Sequence, residues 1–246
     1  MKKILFLGCV VALFILASCK KENPDLNVKD ELIGDGTFDY AGRTYTYKIL
    51  GGVAWMIENL AYLPAVSPST VESSTTPVYY VYGYEGTSVI AAKATENYKT
   101  YGVLYNIVAA KTACPPGWHL PSDHEWRYFI WINFDEDVGL EDDRWIWGYL
   151  EDYGTYVGWQ LKSTTGWLED GNGINSLGFT ALPAGDRNTD YHFGYLGTGT
   201  GFWTSTTDPY NWAWIWSITS SPGWMYHVMY PGTWGFSVRC VTENWE

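Results

Sequence analysis

Four cysteines lie in the 246-residue chain, and two of them, Cys114 and Cys240, stand far apart in its body. Cys9 falls inside an amino-terminal apolar run that is lost with the leader, and Cys19, directly after that run, reads as a lipidation site. What remains is an even pair in an exported chain, which reads as a disulfide. A bond between them closes a loop of about 125 residues, worth up to ~4–5 kcal/mol in the chain-entropy model. Two free structural thiols, or a metal-binding or catalytic cysteine, are the competing readings. His119 is the only histidine within a few residues of either.

The export reading rests on the first nineteen residues. Met1-Lys2-Lys3 is basic, and Ile4 to Ala17 is apolar throughout. A membrane span needs ~20 apolar residues, so residues 1–18 read as a signal peptide. Leu16-Ala17-Ser18-Cys19 resembles a bacterial lipobox, which implies cleavage before Cys19 and lipid on its sulfur and amine. Several acyl chains give lasting anchorage where one binds only marginally. Residues 19–36 then run polar, as a tether does. Lysines and an acid directly after Cys19 resemble the surface-export tags of lipoproteins in Bacteroidota-type bacteria, so the expected address is the outer membrane, facing outwards.

Charge narrows the partners. The chain carries 27 acidic and 15 basic residues, a net −12, and losing Lys2 and Lys3 with the leader leaves 13 basic residues and −14. Such a surface repels phosphate backbones, which excludes nucleic acid as a partner. With 18% aromatic and only 17% charged residues the chain is too apolar for disorder.

Along the body, residues 37–246, Thr37 to Leu50 reads as a hairpin turning at Ala41-Gly42, with Tyr45, Tyr47 and Ile49 alternating with polar residues. Val53 to Ile57 is a short buried strand, Pro64 to Pro77 a loop, Val78 to Tyr82 β-prone, and Val89 to Thr95 a brief helix. Tyr101 to Ala110 is a buried apolar segment. Ser122 and Glu125 form a capping box, after which Trp126, Phe129 and Ile130 fall on one helical face. Asp152 to Lys162 makes a second helix despite Gly154 and Gly158. Short strands and turns follow, and in Asn211 to Ile218 the alternation puts Trp212, Trp214 and Trp216 on one side. Two helices followed by several strands give an α+β class.

Several of these segments form a familiar series. Trp55-Met56-Ile57-Glu58-Asn59-Leu60, Tyr101-Gly102-Val103-Leu104-Tyr105-Asn106, Cys114 to Ser122, Gly178 to Gly185, Phe202-Trp203-Thr204-Ser205 and Gly235 to Cys240 resemble the Fibrobacter succinogenes major paralogous domain. The resemblance runs from about Phe38 to Val241. It implies an exported bacterial domain, commonly a lipoprotein, with a C-type-lectin-like fold of two helices, a small antiparallel sheet and a long loop-rich region. It also implies a bond between a Cys before or in the first helix and one in the last strand, the positions expected of Cys114 and Cys240.

For function, the leading expectation is a non-catalytic binding or adhesion module for a glycan or other extracellular polymer, because aromatic faces in turn-rich segments stack on sugar rings. Candidate contacts are Trp212, Trp214, Tyr226 and Trp234, with Trp203, inside its Phe-Trp-Thr-Ser motif, read as core. A structural subunit of a surface complex or fibre, or an adhesin recognising a cell-surface protein, fits the same sequence. An enzyme is the third reading. Related folds include the formylglycine-generating oxidases, but the two cysteines are already assigned to each other, and a hydrolase would need Asp186, Asp190, His192 and His227 to converge. No cofactor is expected. Asp135-Glu136-Asp137 and Glu141-Asp142-Asp143 offer calcium oxygen ligands without the fixed spacing of a calcium loop. The Glu-Pro-Asn, Gln-Pro-Asp and Trp-Asn-Asp motifs of calcium-dependent lectins do not occur. His119 and His124 lack a second ligand at metal spacing, and no metal site is assigned.

Overall fold

The tyrosine alternation becomes the first hairpin. Strand β1 (Gly36–Tyr40) pairs antiparallel with β2 (Arg43–Leu50), and Ala41 and Gly42 turn between them with φ of 51° and 80°. Both central residues lie in the left-handed region, as a two-residue turn matched to strand twist requires. In this computed structural model the described residues are 34–134, 154–220 and 225–243, all within the compact unit Leu32–Glu246. The signal peptide, Cys19, most of the tether and the two acidic clusters lie outside the described residues.

The described residues form three sheets. Strand β3 (Val53–Met56), buried along its length, and β11 (Val241–Thr242) extend the hairpin to a four-stranded sheet in the order β1-β2-β3-β11. Strands β4 (Tyr79–Tyr80) and β5 (Leu104–Tyr105) form a small ladder. The third sheet has the order β10-β9-β8-β6-β7, built from β6 (Ala184–Arg187), β7 (Phe193–Leu196), β8 (Gly199–Thr207), β9 (Trp212–Thr219) and β10 (Met225–Pro231). It is mixed: β6 runs parallel to β8, and the other pairs are antiparallel.

Among the described residues five short helices accompany the sheets: α1 (Val89–Ala94), α2 (Glu96–Tyr101), α3 (Ile107–Ala113), α4 (Asp123–Phe134) and α5 (Gly154–Leu161). The expected capping box is present and reciprocal. Ser122 Oγ accepts from the Glu125 N–H at 3.2 Å, and the Ser122 N–H donates to Glu125 Oε2 at 2.6 Å.

The expected two-helix, C-type-lectin-like α+β fold is therefore not what the chain adopts. It is β-rich, with a five-stranded mixed sheet where a long loop-rich region was expected. The reason lies in burial. Strands β8 and β9 are covered on both faces, Trp203 and Ile215 packing into one core with Tyr105 and Phe236, and Phe202 and Trp216 into another with Trp55, Trp126 and Phe179. A sheet sandwiched in this way loses the apolar–polar alternation by which strands are recognised. Cys114 and Cys240 are bonded as expected, with Cα atoms 5.8 Å apart, Cys114 capping the end of α3 and preceding α4.

The recurrent motifs hold these layers together. Asn106 caps α3 through the Ala109 N–H, accepts from Val78 N, and donates to the carbonyls of Ser73 and Thr76. Arg239, wholly buried, donates to Asn59 Oδ1 and to the carbonyls of Met56, Phe179 and Thr180. Asn59 in turn donates to Tyr101 O. Buried polar groups demand such saturation, so these side chains act as cross-braces.

Candidate functional site

A cavity of about 820 Å³ opens against the five-stranded sheet, a volume in the range of small-molecule and oligomer sites. Its origin is a row of small residues. On β8, Gly199 and Gly201 carry no side chain, and their partners on β9 are Thr219 and Ser217. A Cβ on Gly201 would stand 2.6 Å from Phe236 and one on Gly199 3.2 Å from Tyr195, so the glycines let these two residues pack directly on the strand. Strand alternation then places Tyr226, Val228 and Tyr230 of β10, opposite Ser217, Ile215 and Ala213, on the same face.

The walls are aromatic. Tyr230 lies 4.4 Å from Trp234 and 5.3 Å from Phe236, and Trp234 stacks on Phe236 at 5.6 Å and 12°. Tyr195, 65% exposed, stands at the mouth with a φ of 58°. A bulky side chain in the left-handed region is strained, and such strain collects at functional positions. At the β6 end sits Asp186, only 8% exposed, whose Oδ1 has no hydrogen-bond partner among the described residues. Burial pushes its carboxyl up to about 7. Burial, then the proximity of Asp186 and Tyr195, also raises the Tyr230 phenol.

The four aromatic candidates read from the sequence all contribute to this lining, in different ways. Trp212, 44% exposed, follows the turn at Asp208 to Asn211, where Asp208 Oδ1 accepts from the N–H groups of Tyr210 and Trp212. Trp234 and Tyr226 are half-buried. The ring of Trp214 is committed elsewhere: it stacks on His227 at 4.0 Å, and His227 stacks on Trp216 at 4.6 Å. Trp203 is buried and donates its indole N–H to Tyr105 O, as core packing predicts.

Among the described residues, the groups a hydrolase would need are bonded to other partners or unpaired, not to one another. His227 Nε2 lies 2.6 Å from Asp123 Oδ1, which also accepts from Trp216, while Arg127 donates to Oδ2. Burial alone would raise the Asp123 carboxyl, but His227 and Arg127 outweigh it and hold it below the usual range. This cluster pins α4 to β9 and β10. Asp190 and His192 are exposed in a turn whose N–H groups bond to Asn188 Oδ1. No hydrogen bond or ion pair joins Asp186 to Asp190, His192 or His227 among the described residues. Among the described residues no group of three His, Cys, Asp or Glu side chains is placed to hold a metal ion. The residues that sequence reasoning missed are Tyr195, Tyr230 and the floor glycines. The signal for the floor was the spacing Gly197, Gly199, Gly201, since glycine at alternate strand positions marks a face left open for close approach.

Residues 49–242 match the family model of the Fibrobacter succinogenes major domain, which leaves β1 and most of β2 ahead of the match. No curated protein and no solved structure matches the chain.

Proposed function

The chain belongs to the Fibrobacter succinogenes major domain family, and from that premise we propose that it is a lipid-anchored, surface-displayed binding module with no catalytic role. Its ligand is an extracellular polymer, a glycan before others, held in the cavity on the five-stranded sheet. One observation carries this reading: a continuous aromatic wall of Tyr230, Trp234 and Phe236 along a cavity that Ser217 also lines. Flat aromatic faces bury the apolar faces of sugar rings, and a cavity of this size has room for them. The lipobox at Cys19 and the polar residues 19–36 would place that cavity outside the cell on a tether.

A glycan array probed with the chain from residue 19 onward, without the leader, tests this. The wild type is expected to retain a defined set of glycans, and Trp234→Ala to lose at least about tenfold in affinity for them, the loss of one stacked ring. An array with no retained glycan, or equal retention by the variant, would refute the reading.

A further inference from the structure

The cavity contains a buried carboxyl with no counterion. Asp186 is 8% exposed, its Oδ1 is unpaired, and no Lys or Arg forms an ion pair with it among the described residues. Arg187, next to it on β6, is spent elsewhere: it donates to Ser69 O and Thr233 O and lies over the Tyr80 ring. The groups near Asp186 are phenols, Tyr82 from the segment after β4 and Tyr230 from β10, with Tyr195 from β7 beside Tyr230. Of the remaining titratable side chains of the lining, Tyr226 stands opposite Ser217 and His227 is held by Asp123 of α4.

An unpaired buried carboxyl is costly, and it is retained where a ligand supplies the opposite charge. Aromatic faces around the same point attract a cation as well. A carboxyl set among aromatic rings is the chemistry of an ammonium site. A second polar group narrows the class. Ser217 shares the floor with Gly201, is half-buried, and stands on the cavity face. A lysine side chain brings only a methylene stem to such a hydroxyl, whereas a sugar ring brings hydroxyls of its own.

We propose that the cavity recognises an amino sugar with a free, protonated amine, its ammonium at Asp186, its ring against Tyr230 and Trp234, and a ring hydroxyl at Ser217. This rests on the glycan-binding reading and deepens it. Because burial pushes Asp186 up to about 7, a bound ammonium draws the proton off the carboxyl, and affinity for a permanent cation rises with pH.

Calorimetric titration of the chain from residue 19 onward with three probes tests the proposal: a glucosamine oligomer, the same oligomer fully N-acetylated, and choline. The glucosamine oligomer is expected to bind at least about tenfold more tightly than its acetylated form, and Asp186→Asn to abolish that preference. Choline affinity of the wild type should rise several-fold between about pH 5.5 and about pH 8.5, a readout that needs no variant to fold. Equal affinity for the two oligomers overturns the amine assignment and leaves the glycan reading standing. Choline binding without binding of either oligomer overturns the sugar assignment and the glycan reading together. A choline affinity that is flat or falling with pH overturns the role of Asp186.

Discussion

Asp186 weakens the fold in proportion to its ionisation. Its carboxyl moves from an ordinary 3.8 to about 7 on folding, so between those values the folded chain holds a proton that the unfolded chain has released. Stability is therefore undiminished below the unfolded value, falls as pH rises towards about 7, and stays reduced above it. The full effect is up to roughly 4 kcal/mol. Asp186→Asn is expected to raise Tm at about pH 8 and to leave it unchanged at about pH 4, read by calorimetry at both. A variant no more stable than the wild type at the higher pH would contradict the buried, unpaired placement. His119, raised by its hydrogen bond to Glu125, works against stability as pH rises through its own folded value, but it does so equally in both proteins. The sequence marks Asp186 as one acid of a Gly-Asp-Arg-Asn-Thr-Asp stretch, and nothing there announces its burial. The stretch reads as a turn because its burial is imposed by β7, β8 and β10, which come from sequence-distant glycines and tyrosines.

At the scale of elements, what the sequence makes legible follows local chemistry. The Ala41-Gly42 hairpin, the Ser122 cap and the alternating tryptophans of β9 are each fixed by neighbours within a few residues, and each is found where the pattern places it. Helix α2 and strands β7 and β10 are not legible. Glu96–Tyr101 has no buried residue and shows no apolar stripe, while Phe193–Leu196 and Met225–Pro231 are strands only because β6 and β9 offer them partners. The cavity depends on the same long-range pairing. Gly201→Ala puts a methyl 2.6 Å from Phe236 and 3.2 Å from Ile215, so the sheet must shift or the wall must move. The expected cost is about 1–3 kcal/mol by urea denaturation, the range for an overpacked core. A neutral substitution would mean that Phe236 is free to withdraw and that the floor is not set by it.

For the whole molecule, the family motifs and the candidate site divide the labour. Asn59, Asn106 and Arg239 are saturated inside the fold, and the bond from Cys114 to Cys240 fastens the end of α3 beside β11. The groups that line the cavity belong mostly to the five-stranded sheet, whose far strands carry no such motif. The motifs therefore identify a scaffold, while Tyr195 and Tyr230, which sequence patterns leave unmarked, line the cavity proposed as the ligand site. The account is tested most directly by following the indole N–H resonances of isotopically labelled protein during titration with a glycan retained on the array. The signals of Trp212 and Trp234 should shift with added glycan, while those of Trp203 and Trp126, both wholly buried in the cores, stay fixed. Shifts confined to other tryptophans, with Trp212 and Trp234 unmoved at saturating glycan, would contradict it.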